Sequence, residues 1–137
     1  MVLNSYSKIN LSLRVNRKLK SGLHEIQSYY CLISLRDQIK INKINKKRDQ
    51  IFFKGPFANN LKRHDNTIAN LLKFLRKIKL IANYYSVKVT KNIPVFGGLG
   101  GGTSNAAFIL RYLLKERISK NIFYKIEKLI GSDLKLF

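Results

Sequence analysis

Residues 97–102 read GGLGGG, so five of six consecutive positions are glycine, and Thr103 and Ser104 follow at once. Glycine lets a bulky anion approach the backbone and tolerates positive φ. A helix opening after such a run presents unsatisfied N–H groups and the positive end of its dipole. Two hydroxyls at that end add further hydrogen-bonding groups. These are the parts of a phosphate cradle, running from Pro94 through Gly97, Gly98, Leu99, Gly100, Gly101 and Gly102 to Thr103 and Ser104. The spacing excludes several cradles. A Walker loop needs a lysine after its last glycine, where Thr103 stands. A dinucleotide fingerprint from Gly98 has Gly100 in second place but Thr103 in third. The H-R-D and D-F-G segments of protein kinases are absent. A bare flexible linker is the plainer alternative, but linkers rarely join an apolar strand to an amphipathic helix.

Chemistry at a bound phosphate also needs a group that can take a proton. The chain has seven carboxylates: Glu25, Asp37, Asp49, Asp65, Glu116, Glu127 and Asp133. Glu116 and Glu127 fall on basic, solvated faces of predicted helices. Asp37 and Asp49 fall in polar turns, and Asp65 is explained as a helix cap. Asp133 alone follows a helix stop inside a short apolar stretch, so elimination points to it as the proton acceptor. Lys8 lies on the polar face of an otherwise apolar strand, where an exposed surface lysine is an equally good reading. Asn10 shares that face, two residues on.

The elements that would hold these groups can be read from periodicity. Residues 6–15 alternate, with Ile9, Leu11, Leu13 and Val15 on one face, which predicts a half-buried strand. Residues 16–23 form a polar turn containing Gly22, and strands are expected at about 24–34, 38–44 and 50–54. Asp65, Asn66 or Thr67 can cap a helix whose buried face carries Ile68, Leu71, Leu72, Leu75 and Ile78. Residues 85–91 read as a strand, with Val87 and Val89 facing one way. A helix over 104–114 turns Ile109, Leu110, Leu113 and Leu114 inward. The last helix runs from a Ser119 cap to Ile130 and stops at Gly131. Strands first and helices mixed in later predict an α+β domain, mostly antiparallel sheet packed with helices, rather than a doubly wound parallel sheet.

At 137 residues with 45% hydrophobic content, one domain with a modest core is expected. No apolar run is long enough to span a membrane, and there is no signal-peptide segment. The single cysteine, Cys31, cannot form an internal disulfide, which fits a reducing cytoplasm. Lys and Arg outnumber Asp and Glu by 27 to 7. The basic residues are spread along the chain without a nucleic-acid motif, so a solvated basic surface is favoured over a nucleic-acid site. Such a field would still help recruit a polyanion such as ATP.

Residues 94–107, PVFGGLGGGTSNAA, resemble the ATP loop P-x-x-x-G-L-G-G-G-[ST]-S-N-A-A of the GHMP kinases. Four further segments agree in order: SKINLSL at 7–13, GLHEIQS at 22–28, DNTIA at 65–69 and GSD at 131–133. Within that superfamily the resemblance is to the diphosphocytidyl-methylerythritol kinases. It implies a ribosomal protein S5 domain 2-like fold, ATP and Mg2+, and a small-molecule substrate. The reaction implied is γ-phosphoryl transfer to a tertiary hydroxyl of an erythritol unit. It assigns catalysis to Lys8 and Asp133, with the lysine beside the aspartate polarising the acceptor hydroxyl. Asn66 maps to the nucleotide pocket, Asn10 to the substrate, and His24 to the cytidine base, although His24 also reads as an ordinary turn histidine. His64 reads as structural.

Three positions depart from the pattern: Leu23 where an aromatic is usual, Phe96 where small residues are usual, and Lys135 where proline is common. The family also has a C-terminal domain that these 137 residues lack, so residues 1–137 are expected to be its N-terminal domain alone, a truncated form inactive by itself. Competing expectations are another GHMP small-molecule kinase, or a basic RNA-binding module on the S5-like fold.

Overall fold

The chain begins as a long hairpin. Strand β1 (Val2–Lys18) turns through Gly22, whose φ is 82°, into β2 (His24–Ile44). The computed structural model describes residues 1–20, 22, 24–59, 61–62, 65–115 and 118–137; Leu23, His64 and Glu116, named above, lie outside the described residues. Strand β3 (Gln50–Lys54), helix α1 (Thr67–Lys77) and strand β4 (Tyr84–Thr90) follow. The sheet order is β1-β2-β4-β3. Its first two pairings are antiparallel, and the β3–β4 pair is parallel. Parallel neighbours need a crossover, and α1 supplies it. Helices α2 (Gly101–Leu114) and α3 (Lys120–Ile130) and a short 3₁₀ turn (Ser132–Leu136) complete the α+β architecture.

β2 is one strand of 21 residues where the sequence predicts two, 24–34 and 38–44. Tyr6 faces Arg36 but Ser7 faces Ile33, so Ser34 and Leu35 are the extra residues of a bulge. That local irregularity, followed by a charged Asp37, is what reads as a turn. Asp37 is instead opposite Ser5 in the ladder and wholly buried. Its expected place in a polar turn is therefore corrected: four internal donors satisfy its carboxylate, so the strand can carry it through the core.

A second correction concerns β1. Strand β4 pairs only with residues 38–44 of β2, so the outer part of the β1–β2 ribbon projects past the four-stranded region. Ile9 is half-buried, but Leu11, Leu13 and Val15 are 66%, 55% and 56% exposed. Alternation identifies the face that can be covered; covering it requires another layer, and the helices lie over the four-stranded part.

There the core forms as the sequence predicts. Val87 and Val89 of β4 and Ile39 and Ile41 of β2 cluster with Leu71, Leu72 and Leu75 of α1 and with Ile109 and Ile126. Burying one such side chain stabilises by roughly 1.5–3 kcal/mol. Ile78, Leu113 and Leu114 are half-buried at helix ends. Asn66, not Asp65, caps α1: its Oδ1 accepts from the Ala69 N–H at 3.0 Å, while Asp65 is exposed. Ser119 caps α3 and Gly131, with φ 135°, ends it. Asp49 does lie in a turn, where it takes two 3.0 Å bonds from Arg76 Nη2 and one of 2.9 Å from the Tyr85 N–H. Glu127, expected on a solvated face, is largely covered and lies 3.7 Å from Lys135 Nζ. Among the described residues no helix is long and apolar enough to cross a membrane.

Candidate active site

The glycine loop joins β4 to α2, and its backbone needs glycine for two separate reasons. Gly98 and Gly100 have φ of 71° and 69°, in the left-handed region that side chains disfavour. Gly100 also has no room for a Cβ, which would meet the Phe137 ring at 2.8 Å. At Gly101 the obstacle is Ile93, 2.9 Å from an added Cβ. Helix α2 begins at Gly101, three residues before the predicted Ser104, because the left-handed Gly100 already turns the chain into the helix. No side chain caps that terminus. Its first N–H groups therefore remain available to a ligand.

The loop walls a cavity of about 470 Å³. Pro94, Gly97, Gly98, Leu99, Gly100, Gly101, Gly102, Thr103 and Asn66, all expected at an ATP site, line this one cavity. The N-terminus of α1 opens into the same space, because Thr67 Oγ1 donates to the Gly102 carbonyl at 2.9 Å. Two helix dipoles thus converge on one cavity, each favouring negative charge there. Ser104 is placed elsewhere. Its hydroxyl donates to the Tyr6 carbonyl at 2.6 Å and lies 2.7 Å from Ser5 Oγ, which pins α2 to β1. Asn66 caps α1 and also lines the cavity; its Nδ2 donates to the Lys62 carbonyl at 2.8 Å.

The proposed acceptor-side residues divide. Lys8 is 6% exposed, so the surface-lysine reading is excluded. Its backbone N–H donates to the Leu99 carbonyl at 3.1 Å, which fastens β1 to the glycine loop. Its Nζ lies 3.2 Å from Asp133 Oδ2 and donates to Asn10 Oδ1 at 3.2 Å. The Lys8 stem passes 3.4 Å from where a Gly100 Cβ would be. Lys8, Asn10, Asp133 and the loop are therefore one assembly. His24 stands apart: it is exposed at the far end of the ribbon, paired with Lys18, eight positions along β2 from Leu32, the partner of Lys8. That is about 25 Å of strand. Phe96 is fully exposed on the loop with φ 63°.

Two groups escaped sequence reasoning. Lys91 and Asn105 also line the cavity, and both reach the buried Asp37 carboxylate, at 2.5 and 3.0 Å. The spacing of 37, 91 and 105 carries no local signal.

Mg2+ would prefer hard oxygen ligands. Among the described residues no three His, Cys, Asp or Glu side chains cluster to hold a metal. Among the described residues that line the cavity, Asp65 carries the one carboxylate, and Thr67 and Thr103 add hydroxyl oxygens.

Comparison with known proteins agrees with this geometry. The family model of the GHMP kinases N terminal domain matches residues 66–132. A 4-diphosphocytidyl-2-C-methyl-D-erythritol kinase of Pelagibacter ubique is 44% identical over 136 residues, covering 96% of this chain and 48% of that protein. The enzyme of the same name from Ureaplasma parvum is 33% identical, covering 100% of this chain and 52% of its own length. The chain thus spans about half the length of these relatives. Among solved structures, a 4-(cytidine 5'-diphospho)-2C-methyl-D-erythritol kinase superposes with a TM-score of 0.74 at 23% identity, over 100% of this chain and 48% of that one. A homoserine kinase from Cytophaga hutchinsonii gives 0.61 at 15% identity, over 94% and 42%. These two likenesses speak to the fold alone. Sequence, fold and loop geometry agree in one likeness, to the GHMP kinases N terminal domain.

Proposed function

We propose that this chain is the ATP-binding half of a kinase that phosphorylates the 2-hydroxyl of 4-diphosphocytidyl-2-C-methyl-D-erythritol, a step of non-mevalonate isoprenoid synthesis in the cytoplasm. The observation that carries the reading is the 3.2 Å contact of Lys8 Nζ with Asp133 Oδ2 beside the glycine loop. Relatives 33–44% identical along the whole chain carry that enzyme's name, which supports the substrate. Residues 1–137 would form the N-terminal domain, and a second domain would complete the cleft.

In this reading the triphosphate lies along the loop, with its charge met by the N–H groups of α2 and α1 and by Thr103. Mg2+, when bound, neutralises phosphate charge. Asp133 accepts the proton of the substrate hydroxyl as its oxygen bonds to the γ-phosphorus and the bond to the ADP oxygen breaks. Lys8 holds the Asp133 carboxylate in place and is within reach to polarise the same hydroxyl. Asn10, bonded to Lys8, orients the ammonium. The ribbon that carries His24 would have to be met by the far end of an extended substrate, and a cytidine nucleotide is long enough for only part of that span.

A chimera of residues 1–137 with the second half of the Pelagibacter relative tests this directly. It should release ADP when given Mg·ATP and the cytidine-bearing substrate, and not with mevalonate. Asp133→Asn should remove turnover, by about 10²–10⁴-fold for a lost general base, while the isolated chain still binds Mg·ATP in calorimetry. Tight, salt-dependent RNA binding with no ATP binding would overturn the kinase reading.

A further inference from the structure

We propose that Asp37 is a positioning residue for the glycine loop, holding both ends of the loop through one buried carboxylate. The proposal rests on the ATP-binding reading of that loop. Asp37 sits in the middle of β2 with no exposure. Oδ1 accepts from the Asn92 N–H at 2.8 Å and from the Ile93 N–H at 2.9 Å, where the chain leaves β4 and enters the loop. Oδ2 accepts from Lys91 Nζ at 2.5 Å and from Asn105 Nδ2 at 3.0 Å. Asn105 lies in the first turns of α2, just beyond the loop's exit. Residues 94–100 are therefore suspended between two anchors that share one carboxylate.

The four donors account for the acceptor capacity of an ionised carboxylate, so the geometry is fully determined. Lys91 and Asn105 are 3% exposed each, and both also line the cavity. Lys91 Nζ lies 3.2 Å from where a Gly101 Cβ would be, so the ammonium sits against the first residue of α2. With Nδ2 committed to Asp37, Asn105 Oδ1 is left buried without a partner. A buried acceptor left open at a cavity wall is costly unless something fills it. The cluster thus fixes the loop, and one acceptor within it, Asn105 Oδ1, is left without a partner.

A loop displaced by about 1 Å is enough to lower the efficiency of a positioned site by around 100-fold. The test is Asp37→Asn in the 137-residue chain, which replaces one acceptor with a donor aimed at existing donors. Mg·ATP affinity is measured by calorimetry, and amide hydrogen exchange by mass spectrometry over residues 94–105. The expected result is an affinity about 10- to 100-fold weaker, with faster exchange concentrated in that segment. Asp49→Asn is the control: it cuts a comparable carboxylate cluster around Arg76, away from the loop, and should lower the melting temperature while leaving ATP affinity unchanged. If Asp37→Asn does not fold, Asn105→Ala decides, since it frees only the exit anchor and should show the same two signatures more weakly. Unchanged affinity and loop exchange in the folded variant would overturn the positioning role. Equal loss of affinity in Asp49→Asn would overturn it too, by showing a general effect of stability. Failure of the unaltered chain to bind Mg·ATP at all would instead defeat the ATP reading beneath it.

Discussion

The glycines of the loop can be separated by a single methyl group. Alanine at Gly100 meets two penalties: its φ of 69° and a Cβ only 2.8 Å from the Phe137 ring. The left-handed conformation costs about 1–2 kcal/mol. Overpacking against the ring adds about 1–3 kcal/mol. At Gly98 the φ is almost the same, 71°, but nothing lies within 4 Å of the added Cβ. Gly98→Ala should therefore lose about 1–2 kcal/mol and no more. Gly102 has the opposite prospect. It lies inside α2, its φ is not left-handed, and the nearest atom is Thr67 Oγ1 at 3.6 Å, ordinary contact. Alanine there should stabilise by about 0.5 kcal/mol, because helix interiors disfavour glycine. Thermal unfolding followed by circular dichroism measures all three. At roughly 4 °C per kcal/mol for this length, the order of melting temperatures should be Gly102→Ala above the unaltered chain, then Gly98→Ala, then Gly100→Ala. Equal losses at 98 and 100 would show that the Phe137 ring yields freely, and the packing argument for Gly100 would fall. A loss at 102 would refute the claim of open space there.

Ser104→Ala should lower stability by about 1–3 kcal/mol, because it removes the bonds to the buried Ser5 hydroxyl and to the Tyr6 carbonyl, with ATP affinity in calorimetry unchanged; a selective loss of affinity would return Ser104 to the phosphate site. Asn66→Ala should cost about 1 kcal/mol as a lost helix cap, and Asn66→Asp, which still caps, should restore that stability in thermal melts. Lys8→Met should leave Asp133 without its cationic partner and remove turnover in the chimera, while loop binding of Mg·ATP persists because the Lys8 backbone bond to Leu99 is retained.

Much of this arrangement is legible in the chain because it is written locally. The glycine run, the Ser119 cap, the Gly131 stop and the apolar stripe of α1 each depend on residues within a turn or two of one another. So does the cradle. Three things are not local. The coverage of β1 depends on which layers the rest of the chain can supply, so Leu11, Leu13 and Val15 look core-like and are exposed. The continuity of β2 depends on donors arriving from residues 91–93 and 105, so Asp37 looks like a turn and is the centre of a buried cluster. Ser104 offers a hydroxyl at a helix start, but which side of α2 it occupies depends on β1 packing behind it. Elimination among few carboxylates points to Asp133 alone; its pairing with Lys8 is implied by the motif resemblance and carries no signal in the spacing.

The Ser5–Ser104 contact that docks α2 onto β1 joins residues 99 apart. The β1–β2 hairpin closes through a short turn, and α1, β3 and β4 assemble over modest separations, but this contact must wait for most of the polypeptide. Closing so long a loop costs entropy that no nearby interaction offsets in advance, and contacts of that range form late. Lys8 and Asp133 are bound to the same docking event, being further apart still. In chain order, then, the glycine loop and its Asp37 anchors precede Asp133, and the Lys8–Asp133 contact is the last part of the site to close. The order in which these parts of the site can close is set by topology alone.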